Sequence, residues 1–304
     1  MLLLLMTNVL HLSAYQNDYE NTTDKNTLIC FDAETGEIQY IPANYDAQGA
    51  LLSLGYEGDV EKIDAAYAKI NAQYYEETFI SPSCSPLDII GNDDRTKVDA
   101  EICVPYSMIC RLDIIWPNGN ESYATGWLYA QDRVATAGHC VYNAEKGGWA
   151  TLIIVQPGRY GEVCPFGETA VPSTGLASCK GWTENSDFSY NYGLIRLNEP
   201  LGDVCGYFGY ASNSGSIGTN VTISGYPGDK NPYTNDQNQW KMRGKLTLVT
   251  SNRLWYLIDT YVGQSGAPIY NDNRTVIGIH SSGYTVTNAG TKISAAIFNH
   301  MQNF

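Results

Sequence analysis

From Ile89 onward the chain is cut by turn residues into short β-prone runs, and this spacing limits the fold more than any other feature. The runs fall at 107–115, 124–129, 151–156, 192–197, 221–225, 245–250, 255–259, 268–270, 275–279 and 292–295. Short strands at such spacing, with few long helical patterns, predict an all-β fold of antiparallel barrels or a sandwich. The counts of Gly 29 and Tyr 23 fit a turn-rich chain. Hydrophobic residues at 43% against 16% charged supply a core and argue against wholesale disorder. Residues 295–304 read as a terminal helix. No internal repeat marks a solenoid.

The front of the chain has a different texture. Residues 1–14 are rich in leucine and read as a short signal peptide, although they lack a basic start and are too short to span a bilayer. A polar stretch follows. Val60, Ile63, Ala66, Tyr67, Ile70 and Tyr74 then recur at three- and four-residue spacing, which predicts one amphipathic helix over 59–77. The run 81–86, with Pro82 and Pro86, breaks that pattern. Residues 1–88 carry 14 Asp/Glu against 3 Lys/Arg, whereas the remainder carries 18 against 15. This asymmetry predicts separate roles. The expected organisation is a signal peptide at 1–14, an acidic pro-segment at 15–88 and a main domain at 89–304.

The net charge of -14 gives the chain no electrostatic reason to bind nucleic acid, and no membrane partner is expected. Eight cysteines occur without a C-x-x-C pair, which makes zinc a poor reading; no metal ligand and no cofactor are assigned. An even cysteine count behind an export signal predicts disulfides and a secreted, extracellular protein.

Three segments carry chemistry. Val134-Ala135-Thr136-Ala137-Gly138-His139-Cys140 presents a histidine from a small-residue turn. Gly263-Gln264-Ser265-Gly266-Ala267-Pro268 lets the backbone turn tightly around a serine and aims the N–H groups of Gly263 and Ser265 at one spot, as an oxyanion hole requires. Asn191-Tyr192-Gly193-Leu194-Ile195-Arg196-Leu197 is a polar residue leading into an apolar strand. A serine needs an adjacent base, and the base needs an orienting partner. His139 is the expected general base and Ser265 the nucleophile. The order histidine, third member, serine is that of the chymotrypsin superfamily.

Residues 89–304 resemble the bacterial glutamyl endopeptidases, which are glutamate-specific chymotrypsin-like serine proteases. The matching stretches are Ile90-Gly91 with Asp94-Arg95-Thr96, Thr125-Gly126-Trp127-Leu128, 134–142, 206–210, 221–229, 258–261 and 263–270. The resemblance implies two antiparallel β-barrels, about 89–200 and 206–304, with the site between them. It implies a monomeric endopeptidase whose partners are protein or peptide substrates and its own pro-segment. His280 and Thr260 match the positions that hold a substrate glutamate in that family, and an imidazolium and a hydroxyl both donate to a carboxylate. Ser281, Ser282 and Gly283 match the strand that pairs with substrate backbone. A rival stands beside this: Asp259 lies six residues before Ser265, where trypsin-like enzymes place the aspartate that selects Arg or Lys.

The chain departs from the pattern at Asn191, where the resemblance implies the orienting aspartate. In related proteases that Asp→Asn change costs about 10⁴ in turnover. Three accounts stay open: Asp187 takes the third position through a rearranged loop, the protein is a slow or silent relative that binds peptides, or Asn191 is an introduced change. Relatives also place a cysteine just before the Thr-Gly-Trp-Leu stretch to pair with the one at Cys140; Tyr123 and Ala124 stand there here. Cys140 then either pairs with Cys110 or stays free, Cys164 is expected with Cys179, and Cys103 with Cys205. Gln264 is neutral where trypsin-like zymogens use an aspartate to capture the new N-terminus, so that ion-pair switch is not expected. Maturation is expected between Ser85 and Ile90.

Overall fold

The computed structural model describes residues 23–31, 35–43, 50–73, 89–98, 104–230 and 237–304. The signal at 1–14, the breaker at 81–86, Cys84, Cys103 and the chain just before Ile89 lie outside these residues.

The fold is all-β, built as two barrel-like, mostly antiparallel sheets with a C-terminal helix. The first sheet is centred on Ile109–Ile115, Glu121–Ala130, Arg133–Thr136, Leu152–Pro157, Leu176–Cys179 and Gly193–Arg196. Alternation sets its register. Along Ile109–Ile115, Leu112 and Ile114 are buried while Arg111 and Asp113 lie nearer the surface. Pairing Leu112 with Ala124 stacks their buried side over one core that includes Val134, Ile153, Val155 and Leu176, while the Ile109–Trp127 pair belongs to a separate cluster. The second sheet takes Asn220–Gly225, Trp240–Val249, Arg253–Tyr256, Pro268–Asn271, Thr275–Tyr284 and Thr287–Lys292 around Val221, Ile223, Leu254, Ile269 and Ile277. A third cluster joins the barrels and is aromatic. The Trp127 and Phe208 rings meet edge-on at 5.9 Å, and Tyr210 and Phe298 pack at 5.0 Å. The helix Ala295–Asn303 closes that cluster, with Ser294 Oγ accepting from the Ile297 N–H as its N-cap.

Three differences from the sequence reading have physical causes. The run at 292–295 is displaced: the strand is Thr287–Lys292, and Ser294 instead caps the helix. The segment Thr96–Lys97 pairs with Trp240–Lys241 of the second sheet. Residues ahead of Ile89 are also woven into the sheets. Leu28–Phe31 pairs with Leu176–Cys179 and with Ile38–Ile41, and Leu28 is fully buried. Leu52–Ser53 pairs with Tyr210–Ala211. These short strands cover backbone edges that would otherwise be open. The helix Val60–Gln73 lies within the predicted 59–77 and buries Ile63 and Ala66. Among the described residues no helix is long and apolar enough to cross a membrane.

The bridges Cys110–Cys140 and Cys164–Cys179 are not formed. The thiols face different groups: Cys140 Sγ lies 3.9 Å from Ser265 O, Cys179 Sγ 3.5 Å from Tyr190 O, and Cys164 Sγ 3.9 Å from a Glu168 carboxylate oxygen. Cys205 is also unbridged, and its expected partner Cys103 is outside the described residues.

Candidate active site

The sheets bring the three segments to one place. Arg133–Thr136 ends on the turn that holds His139, and Gly193–Arg196 lies beside it, pairing Gly193 with Thr136. Asn191 precedes that second strand and is fully buried. The strand register therefore fixes Asn191 against the histidine. Asn191 Oδ1 accepts from the His139 backbone N–H at 3.0 Å and lies 3.2 Å from His139 Nδ1, while Asn191 Nδ2 lies 3.0 Å from the same nitrogen. Trp182 packs edge-on to the imidazole at 6.0 Å, held by its own Nε1–H donating to Tyr142 O at 2.9 Å.

Asp187 does not approach the histidine. Its carboxylate pairs with Lys25 Nζ at 2.9 Å and accepts from the Ser189 N–H at 3.0 Å. The ion pair and the bond that caps the 188–190 turn use this carboxylate at the start of that turn.

The nucleophile turn abuts the histidine turn through backbone. Thr125 is fully buried, and its N–H donates to Ser265 O at 2.9 Å. Its hydroxyl donates to Gly263 O at 2.8 Å and accepts from the Tyr226 N–H at 3.0 Å. Thr136 Oγ1 donates to Thr125 O at 2.7 Å. This closeness dictates the glycines. Gly266 has φ +90, and a Cβ there would lie 2.0 Å from Thr125 O. Gly263 has φ +101, and a Cβ there would lie 2.3 Å from Tyr226 O. Both N–H groups of the expected oxyanion hole, those of Gly263 and Ser265, are left without an acceptor among the described residues. No hydrogen bond joins the Ser265 hydroxyl to His139 among the described residues.

Around the expected specificity pocket, His280 is buried and its Nδ1 lies 2.7 Å from Tyr256 Oη. Burial, with the nearby His139 and Arg253 adding to it, lowers its pKa to about 3. His280 is therefore a neutral imidazole rather than the expected imidazolium. The neutral ring carries its proton on one nitrogen, and the Tyr256 hydroxyl either donates to Nδ1 or accepts from it according to the tautomer. Thr260 Oγ1 is buried without a hydrogen-bond partner. Asp259 is 2% exposed, and its two oxygens accept from the Ile90 N–H at 2.7 Å and the Asp94 N–H at 3.1 Å. Beyond them, the strand Thr275–Tyr284 pairs with Pro268–Asn271 only as far as Ile279, so Ser281, Ser282 and Gly283 present a free edge to the cleft. A cavity of about 550 Å³ lies there, lined by His139, Trp182, Phe188, Ser282, Gly283 and Tyr284 among others.

Sequence reading missed two residues. Thr125 sat inside a quoted stretch but carried no role, because nothing in one sequence says that a threonine bonds across barrels. Arg253 lies ahead of the predicted run 255–259, where a lone arginine carries no sequence signal.

A histidine turn and a serine turn meeting between two β-barrels define a chymotrypsin-like serine protease. The trypsin family profile matches residues 97–304, and the chain belongs to that family. The glutamyl endopeptidase of Bacillus licheniformis is 35% identical over 289 residues, which cover 90% of this chain and 85% of the relative. A Bacillus subtilis protein named extracellular metalloprotease is 34% identical over 277 residues, covering 89% and 85%. The described residues hold no group of three or more His, Cys, Asp or Glu side chains placed for a metal. A solved structure of a Glu endopeptidase in complex with MPD has a TM-score of 0.63 and 32% identity, covering 71% of this chain and 98% of that one. The chain is thus a serine endopeptidase like the glutamyl endopeptidases.

The desolvated histidines, partly buried His139 and buried His300, predict how stability responds to acid. Burial lowers His139 to about 4, against the raising effect of its Asn191 bond, and lowers His300 to about 4. In the unfolded chain each titrates near about 6.5. Below that pH the unfolded state takes up protons that the folded state refuses, so stability is full above about pH 6.5 and falls towards pH 4. The unfolding temperature is expected to be flat near neutrality and to drop across that window. His300→Gln, remote from the cleft, is expected to make the drop shallower; an unchanged profile would show that His300 titrates normally.

Proposed function

We propose that this chain is a secreted endopeptidase that cleaves peptide bonds after glutamate, and less readily after aspartate. The observation that carries the specificity is the Thr260 hydroxyl, buried with no hydrogen-bond partner among the described residues, together with the buried His280 at the other position that the family uses to hold a glutamate. A free hydroxyl and an imidazole N–H both donate to a carboxylate, whose bonds to them are charge-assisted. Trypsin-like selection through Asp259 is disfavoured, because both of its oxygens are occupied by backbone N–H groups.

Ser265 Oγ attacks the scissile carbonyl and passes its proton to His139 Nε2. The carbonyl oxygen takes up negative charge opposite the unused N–H groups of Gly263 and Ser265. The imidazolium returns the proton to the leaving amine, and water then releases the acyl group by the same route. The buried Cys140 thiol, pushed up to about 12 by its surroundings, stays protonated and does not compete.

Asn191 holds the third position with reduced effect. To free Nε2 as a base, Nδ1 must keep its proton and donate to Asn191 Oδ1, which already accepts from the His139 N–H. The Nδ2 group aims a donor at the same nitrogen and favours the opposite tautomer. A neutral amide also gives the imidazolium no charge partner. Slow turnover follows, and this is the one observation that supports a silent peptide-binding relative.

Secretion through a 1–14 signal, a 15–88 pro-segment docked on the sheet edges until removal, and a monomeric mature domain from near Ile89 belong to the same proposal. An extracellular relative supports export. The anchoring of Ile90 and Asp94 on Asp259 gives the segment after the junction a fixed seat.

A panel of peptides differing only in Glu, Asp, Lys, Arg or Phe before the scissile bond tests the reading. Glutamate is expected to lead, and Thr260→Val is expected to cost about 10-fold in kcat/KM on glutamate peptides and far less on phenylalanine peptides. Preference for Lys or Arg would refute it. Asn191→Asp is expected to raise turnover by up to about 10⁴. It is also expected to move the acid limb of the pH–rate profile upward from near the His139 value of about 4, because a carboxylate favours the charged ring. No gain would remove Asn191 from the third position.

A further inference from the structure

Arg253 is a buried guanidinium with no carboxylate within ion-pair distance among the described residues. The nearest candidate by charge, Asp187, is already taken by Lys25. Burying a cation without a counter-ion is costly unless its donors are well used. Here they are. Arg253 Nη1 donates to Phe188 O at 2.6 Å and to Ser281 Oγ at 3.2 Å, and Nη2 donates to Ser282 Oγ at 3.1 Å. The guanidinium also lies 5.5 Å from the Trp255 ring, which helps hold its plane.

These acceptors belong to two elements that face the cleft. Phe188 starts the short turn that leads to Asn191, and Ser281 with Ser282 forms the free edge of the strand Thr275–Tyr284. Thr291 reinforces the junction, its hydroxyl donating to Asn191 O at 3.0 Å. Phe188 and Ser282 both line the cavity beside His139, so Arg253 sets the distance across it. The strand itself is irregular at this point, its register shifting between His280 and Ser282, so backbone pairing alone does not fix the edge.

We propose that Arg253 is a positioning residue for the substrate residues that precede the scissile bond. It holds the 281–283 edge against the 188–191 turn at the spacing that an added peptide strand requires. A ligand that fills only the glutamate pocket does not use this edge. A ligand of several residues does. The inference rests on the proposed reading that Ser281 to Gly283 pair with substrate backbone.

Cleavage products separate the two ideas without depending on turnover. N-acetylglutamate and an acetylated tetrapeptide ending in glutamate are titrated into the full chain, and the ratio of their Kd values is read. The tetrapeptide is expected to bind the unmodified protein more tightly. In Arg253→Met that gain is expected to shrink by about 10-fold, as the loss of bonds from a charged donor implies. Arg253→Lys, which keeps the charge but has one nitrogen for three acceptors, is expected to fall between and guards against misfolding of the methionine variant. No gain with length in the unmodified protein overturns the strand-pairing reading and the inference together. A gain that survives in both variants overturns the inference alone. Equal weakening of both ligands assigns Arg253 a general structural role and also overturns it.

Discussion

The Thr125 hydroxyl donates to Gly263 O and accepts from the Tyr226 N–H, while the Thr125 N–H donates to Ser265 O. One residue of the first barrel thereby fixes both sides of the nucleophile turn in the second. Thr136, two residues before the histidine turn, closes the loop by bonding to Thr125 O. The spacing between His139 and Ser265 depends on this clamp, because neither side chain bonds directly to the other. The positive φ values at Gly263 and Gly266 follow from it, since any Cβ there would strike the clamped backbone.

The site built on this clamp is electrically quiet. His139 and His280 are neutral through burial, Asn191 carries no charge, and Asp259 is turned onto the backbone of Ile90 and Asp94. Arg253 is the fixed charge beside the substrate edge, and its donors go to two hydroxyls and a carbonyl. A substrate carboxylate entering the pocket would meet donors rather than a competing anion. The cost of this arrangement is catalytic: without an aspartate at 191, nothing offsets the charge that His139 gains during reaction.

Much of this was legible in the sequence. The short β runs gave the two barrels, since alternating residues such as Leu112 and Ile114 leave only one face to bury. The segments around His139, Asn191 and Ser265 stood out as candidates, because tight glycine turns around a serine and a histidine are chemically specific, and the fold brings them together. What stayed hidden involves contacts between distant residues. The sheet edge at Leu176–Cys179 recruits Leu28–Phe31 from the acidic front segment, and no periodicity in four residues announces that. Asp259 was ambiguous because position relative to Ser265 does not reveal which way a side chain turns. The cysteine bridges failed for the same reason: counting thiols does not say what each one faces.

The central claim is that His139 activates Ser265 in spite of Asn191. Labelling with a fluorophosphonate probe, followed by mass spectrometry to locate the adduct, tests this most directly. The account predicts slow labelling confined to Ser265, abolished in His139→Ala and accelerated in Asn191→Asp. An unlabelled serine in the intact protein, or labelling indifferent to His139, would contradict it.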